Sequence, residues 1–199
     1  MQIELREDSV LIKGYVNAVE RDSRKISTPQ GEFVEQIRSG TWKNAIEKRE
    51  DIPALLNHDK NRKIGSTKDN LRLQEDNIGL YAELRTTDAD VIEKAKNKKL
   101  NGWSFGFIKE KQSWGKADDG TERRYLDEID LLEVSLLDDT RTPAYYGTSV
   151  ESRDNEDVNI EQRYMKDVVE YVTVEGKNDD EMREDLENKL KLLKLELEI

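Results

Sequence analysis

The sequence predicts a mostly β, α+β chain, and three observations carry that prediction. Apolar and β-branched residues recur with the period of a strand at Val10–Val16, Asn70–Leu73 and Gly79–Leu84, separated by polar turns. Two stretches in the second half, Asn101–Phe107 and Tyr125–Leu137, read as further strands. Helical spacing within residues 1–150 is confined to short segments between strands, which makes a meander rather than a βαβ succession.

Taken in order, Val10-Leu11-Ile12-Lys13-Gly14-Tyr15-Val16 is a β-branched strand, and Ser27 to Gly31, with Pro29, reads as a loop. Phe33, Ile37, Trp42, Ala45 and Ile46 have a looser spacing that supplies a short helix from about Thr41 as N-cap. Ile52 to His58 is a short apolar run with Pro53 near its start, where a strand tolerates it. Lys63–Ser66, Asn70–Leu73 and Gly79–Leu84 follow, the last two around a turn at Glu75-Asp76-Asn77. Asp88 caps a predicted helix through Val91, Ile92, Ala95 and Leu100, with Lys94, Lys96, Lys98 and Lys99 at its dipole-favoured end. Lys116 to Thr121 is a hairpin-like loop with Asp119-Gly120. Tyr125–Leu137 ends in a near-continuous apolar run interrupted by Glu133, and residues 138–150 form a loop.

Beyond residue 150 the composition changes. Residues 151–199 hold 16 acidic and 8 basic side chains, against 28 and 25 in residues 1–150. The expected division is a body at 1–150 and an acidic tail at 151–199. Val168 to Val174 is a lone strand or an extended segment. From Asn178, with Glu181 three residues on, leucines at 186, 190, 193 and 197 make one apolar stripe. That C-terminal amphipathic helix either docks on its own body or serves partner binding and self-association.

Composition excludes several classes of function. The net charge of −11 argues against affinity for a phosphate backbone, so no nucleic-acid partner is expected. No apolar run approaches the ~18 residues of a spanning helix, and Met1-Gln2-Ile3-Glu4 does not open a secretory signal. No membrane is expected, and a cytosolic setting fits. With no cysteine and a single histidine, His58, disulfides, thiol catalysis and two-histidine metal sites are ruled out; no metal and no cofactor is expected.

The chain is organised around Asn101-Gly102-Trp103-Ser104-Phe105-Gly106-Phe107. In a strand, Trp103, Phe105 and Phe107 share one face, while Gly102, Ser104 and Gly106 share the other. The bare face either packs beneath a neighbouring element or leaves room for a ligand backbone, with Gly102 and Gly106 lining a substrate groove. Its one functional group is the Ser104 hydroxyl. Ser104, His58 and Glu133 are the group types that make a hydroxyl nucleophilic: a serine, an imidazole to take its proton, a carboxylate to orient the imidazole. Each also has an ordinary reading: a lone histidine in a turn is commonly a surface residue. Glu133, costly to desolvate, could instead pair with Arg123, Arg124 or Arg141.

The succession Leu55-Leu56-Asn57-His58-Asp59, Ile64-Gly65, Gln74-Glu75-Asp76, Gly79-Leu80, Asn101 to Phe107, Leu132-Glu133-Val134-Ser135-Leu136 and Pro143-Ala144-Tyr145 resembles the tailed-phage prohead (capsid maturation) protease family. The resemblance spans roughly residues 10–150. It implies an assemblin-like serine endopeptidase, with a β-barrel flanked by helices. By position, His58 matches the general base, Ser104 the nucleophile and Glu133 the third member; Asp59 is the alternative third member. Arg141 lies where such an enzyme places an oxyanion-supporting arginine. The expected substrates are major capsid protein and scaffold segments, cleaved inside a procapsid assembling in the host cytoplasm, with self-cleavage. The alternatives are a non-enzymatic scaffold or capsid-associated barrel that kept the fold, and a β-barrel module that binds a peptide without cutting it.

Overall fold

A computed structural model describes residues 1–29, 31–140, 150–152, 159–164 and 168–174. Over them the chain runs β1 (Gln2–Leu5), β2 (Val10–Ala18), β3 (Ile26–Thr28), β4 (Gly31–Ile37), α1 (Thr41–Glu47), β5 (Pro53–Leu56), β6 (Asp59–Ser66), β7 (Leu71–Glu75), β8 (Gly79–Thr86), α2 (Ala89–Lys96), β9 (Leu100–Lys116), β10 (Glu122–Asp138), β11 (Val150–Ser152), β12 (Asn159–Tyr164) and β13 (Glu170–Thr173). The chain is mostly β, as its alternation predicts. One sheet has the strand order β13-β1-β2-β8-β7. The other runs β11-β12-β9-β10-β4-β3, and the β5–β6 hairpin joins it through parallel pairing of β5 with β10.

The expected barrel is corrected: among the described residues the strands form two sheets and no closed barrel. The reason is local. At the β7 edge, the backbone N–H groups of Gly40 and Lys43, at the start of α1, donate to the Glu75 carboxylate at 2.6 and 2.7 Å. A carboxylate at a helix N-terminus is electrostatically favoured, so a helix end meets the β7 edge at Glu75. The parallel bridge Val19–Ile37 ties the end of β2 to β4.

Both sheets bury their apolar faces in one core. Trp103, Phe105 and Phe107 of β9 are essentially inaccessible, and Trp42 of α1 meets Phe105 edge-on with ring centroids 4.8 Å apart. Ile3, Ile12, Leu80 and Leu84 from the first sheet join Leu131, Val134 and Leu136 of β10 in the same cluster. Aromatic side chains bury ~150–250 Å² each and prefer such T-shaped contacts, so this face of β9 fixes the height of the opposite face.

Other departures are small. Phe33 and Ile37 lie in strand β4, and Ile26–Thr28 is a strand where a loop was expected. Gly40, not Thr41, caps α1; the Thr41 hydroxyl instead donates to the carbonyls of Leu126 and Asp127. Asp88 caps α2 as expected, accepting from Val91 N at 3.0 Å. Past residue 150, β12 pairs with β9 and β13 pairs in parallel with β1, so chain beyond the expected boundary is hydrogen-bonded into the body. The C-terminal helix and the loop with Arg141 lie outside the described residues.

Candidate active site

Three elements converge on Ser104. It sits on β9, directly opposite Ser135 of β10, and Gly106 sits opposite Glu133. Because successive side chains alternate, Ser104, Gly106, Glu133 and Ser135 share the face away from the aromatic core. The third element is the β5–β6 hairpin. Leu56 pairs with Asp59, leaving Asn57 and His58 as a two-residue turn with φ of 56° and 61°. Positive φ at both central residues is the type I′ geometry that suits a hairpin; Asn adopts it readily and His at a cost.

That turn is held down at three points. Asn57 N donates to Leu136 O at 2.9 Å, Asp138 N donates to Asn57 Oδ1 at 3.0 Å, and His58 N donates to Ser135 Oγ at 3.1 Å. The imidazole is thereby brought against β10. Its Nδ1 lies 2.7 Å from Glu133 Oε1 and its Nε2 lies 2.7 Å from Ser104 Oγ. The structure therefore brings Ser104, His58 and Glu133 into one relay. Asp59 is elsewhere: it is exposed, and its Oδ1 accepts from Asn61 N at 2.9 Å.

Glu133 is buried, and among the described residues its partners are His58 and Ser135 rather than an arginine. Arg123 forks onto Asp22 and Arg124 onto Glu161. The hydroxyl of Ser135 donates to Glu133 Oε2, which leaves Oε1 for the imidazole. With the carboxylate ionised, Nδ1 carries the proton and Nε2 offers its lone pair to Ser104.

Gly106 does not open onto free space. A Cβ built there would stand 2.5 Å from Glu133 Oε1, so the missing side chain makes room for the carboxylate. Gly102 lies opposite Leu137 two residues before Ser104. Residue 141 is outside the described residues.

The structure adds a neighbour that local sequence did not signal. Strand β12 runs antiparallel to β9, with Tyr164 opposite Ser104, and the Ser104 hydroxyl lies 2.6 Å from the carbonyl oxygen of Arg163. Ser104 is 1% exposed. Its single proton serves either Nε2 or this carbonyl, and only the first arrangement is that of a base-activated nucleophile.

β12 is fastened by buried charge. The Arg163 guanidinium donates to both oxygens of Glu35, at 2.7 and 2.9 Å, and to Glu161; Arg124 donates to Glu161 at 2.9 and 2.6 Å. Burial alone would raise the Glu161 pKa, but hydrogen bonds from Arg124 and the charges of Arg163 and Arg124 leave it below the ordinary glutamate value. Burial likewise opposes the Arg163 charge, and Glu35 and Glu161 more than offset it. A signal for this cluster did exist: Arg163 and Glu161 alternate with Ile160 and Gln162 as a strand would, but the partner Glu35 lies 128 residues away.

Comparison with known families gives a match to the caudovirus prohead serine protease family over residues 1–163. That is most of the chain, and the chain belongs to this family. No curated protein and no solved structure matches it.

Proposed function

With membership of a prohead serine protease family as the premise, we propose that the chain is an endopeptidase of Ser-His-Glu type, with Ser104 as nucleophile, His58 as general base and Glu133 as its orienting carboxylate. The observation that carries the reading is the relay itself: two contacts of 2.7 Å join three residue types suited to acyl transfer, on three separate elements. In the proposed reaction, Ser104 Oγ attacks the peptide carbonyl carbon while its proton passes to His58 Nε2. The imidazolium is held by Glu133 through Nδ1–H. Collapse of the tetrahedral adduct expels the amine, which takes that proton back from Nε2. Water, giving a proton to His58 Nε2, then attacks the acyl carbon, and collapse breaks the bond to Ser104 Oγ, which takes that proton back as the carboxyl product leaves. Arg141 is retained as a candidate donor to the oxyanion.

The substrates proposed are scaffold and major capsid protein segments within an assembling procapsid. The tail at 178–199 is proposed as the segment that associates with scaffold or with its own copies. No helix among the described residues is long and apolar enough to cross a membrane.

Self-cleavage is read at Arg163–Tyr164, the bond whose carbonyl oxygen lies 2.6 Å from Ser104 Oγ. For attack, that carbonyl must turn its carbon toward Oγ and release the hydroxyl proton to His58. With β12 in its present place Ser104 is buried, so a second substrate enters only when β12 gives way.

The test is incubation of wild-type, Ser104→Ala and His58→Ala proteins with capsid protein precursor, followed by electrophoresis and intact-mass measurement. Both variants are expected to stay folded and to leave the precursor whole, while wild-type alone yields a species ending at Arg163. Processing by Ser104→Ala at the wild-type rate would overturn the mechanism.

A further inference from the structure

Ser135 is fully buried and lies two residues from Glu133 on the same face of β10, directly opposite Ser104. A hydroxyl has one proton and accepting lone pairs, and here both capacities are used on the relay. The proton goes to Glu133 Oε2. The lone pair receives His58 N at 3.1 Å, in the turn whose residues have positive φ. One atom thus fixes the carboxylate that orients the imidazole and the backbone that carries the imidazole. Among the described residues neither group has another hydrogen-bond partner: Oε1 is already committed to Nδ1, and the Cβ position at Gly106 is filled by that same carboxylate.

We infer that Ser135 is a positioning residue of this active site, acting through Glu133 and His58 rather than on substrate; the inference rests on the Ser104–His58–Glu133 reading. Without the hydroxyl, Glu133 Oε2 loses its donor and the carboxylate is free to rotate about its terminal torsion. His58 N loses its acceptor at a residue already held in an unfavourable backbone region. The imidazole then samples positions off the line to Ser104 Oγ, and a displacement of ~1 Å is enough to cost ~10²-fold in rate.

The experiment measures the rate of Ser104 phosphonylation by a fluorophosphonate probe in the full-length protein, with Ser104→Ala as the unlabelled control. Ser135→Ala is expected to react roughly 10- to 100-fold more slowly than wild-type, the size associated with losing a hydrogen bond to a charged group. Ser135→Thr, which keeps the hydroxyl, is expected to recover most of that loss. In a Glu133→Gln background the same Ser135→Ala change is expected to have little further effect, because the residue acts through the carboxylate. A purely packing role would instead give additive losses and no hydroxyl-dependent recovery. If Ser135→Ala does not fold, the near-isosteric Ser135→Cys, a weak donor, carries the comparison with the same expected outcomes. Wild-type-like reactivity of the hydroxyl-free variant, or full additivity with Glu133→Gln, overturns the inference while Ser104→Ala remains unlabelled and the relay stands. Failure of Ser104 to label both in wild-type and in Arg163→Met, where β12 is loosened, overturns the relay and the inference together.

Discussion

The buried charges that hold β12 beside Ser104 make a quantitative prediction. Arg163 is 6% exposed and Glu35 4% exposed, and two hydrogen bonds of 2.7 and 2.9 Å join them. Arg163→Met keeps side-chain bulk but leaves Glu35 buried with its charge under-compensated. Removing one partner of a buried pair costs ~3–5 kcal/mol. The lower end applies here, because Arg124 remains 3.4 Å from Glu35 and keeps its fork on Glu161. For a chain of this size ~3 kcal/mol corresponds to a fall in Tm of about 6–12 °C, at ~2–4 °C per kcal/mol. The melt is recorded in the Ser104→Ala background so that the proposed self-cleavage does not intrude. Adding Glu35→Gln to Arg163→Met removes the orphaned charge and leaves the Arg124–Glu161 pair balanced. The double variant is therefore expected to melt above the single one. An unchanged Tm for Arg163→Met, or a double variant that simply adds two losses, would refute the assignment of β12's attachment to this cluster.

Further outcomes follow from the same geometry. Glu133→Gln is expected to fold and to slow processing by ~10⁴, as when the orienting carboxylate of a triad is replaced by its amide; a rate within a few-fold of wild-type, with Asp59→Asn inactive, would move the role to Asp59. Gly106→Ala places a methyl 2.5 Å from Glu133 Oε1, and the displaced carboxylate is expected to lower the phosphonylation rate by ~10² without unfolding the chain; unimpaired reactivity would return Gly106 to a role in a substrate groove. Glu161 has a folded pKa below its unfolded value, so its stabilisation is present above the reference of ~4.3 and is lost as pH falls through the folded value. Thermal stability should therefore drop on acidification below about pH 4, and drop less in Glu161→Gln. A fragment of residues 1–174 is expected to melt with the full-length Ser104→Ala protein yet fail to join procapsids, whereas residues 1–152 lack Arg163, β12 and β13 and are expected to be much less stable; a 1–174 fragment that does not fold would place the leucine stripe in the core.

The three residues that converge in the candidate site could be singled out in the sequence because they break local rules. A carboxylate inside the apolar run Leu131–Leu137 demands a partner, and a histidine that ends a strand-like run at the chain's single imidazole narrows the choice of base. What could not be read was how the demand is met. Ser135 was part of the quoted Glu-Val-Ser-Leu stretch, and its i+2 spacing from Glu133 already put both on one face, but nothing local says that a serine bonds a carboxylate rather than packing as a small residue. Gly106 shows the same limit from the other side. Its bare face suggested a groove, whereas the register that sets it opposite Glu133 depends on β9–β10 pairing across the irregularity between Leu131 and Glu133. One residue of slip there would turn Glu133 into the core and leave Gly106 facing nothing.

Long-range charge explains the remaining errors. Phe33 and Ile37 have a separation compatible with a helix, in which Glu35 would turn to solvent, whereas in a strand Glu35 shares the face of Phe33 and Ile37. Its buried charge is compensated by Arg163 from β12 together with Arg124 from β10, so the strand at 31–37 and the strand at 159–164 support one another and neither is visible alone. Closure of the barrel is likewise not readable from local sequence, since the start of α1 lies against the end of β7 at Glu75, at an edge where another strand would have to pair. The same contacts link fold to chemistry. The cluster that makes residues past 150 part of the body also sets the Arg163 carbonyl on Ser104, so whatever loosens Glu35 from Arg163 changes how the Ser104 proton is shared. Arg163→Met should accordingly speed phosphonylation of Ser104 even as it lowers Tm; if both fall together, β12 supports the active serine rather than covering it.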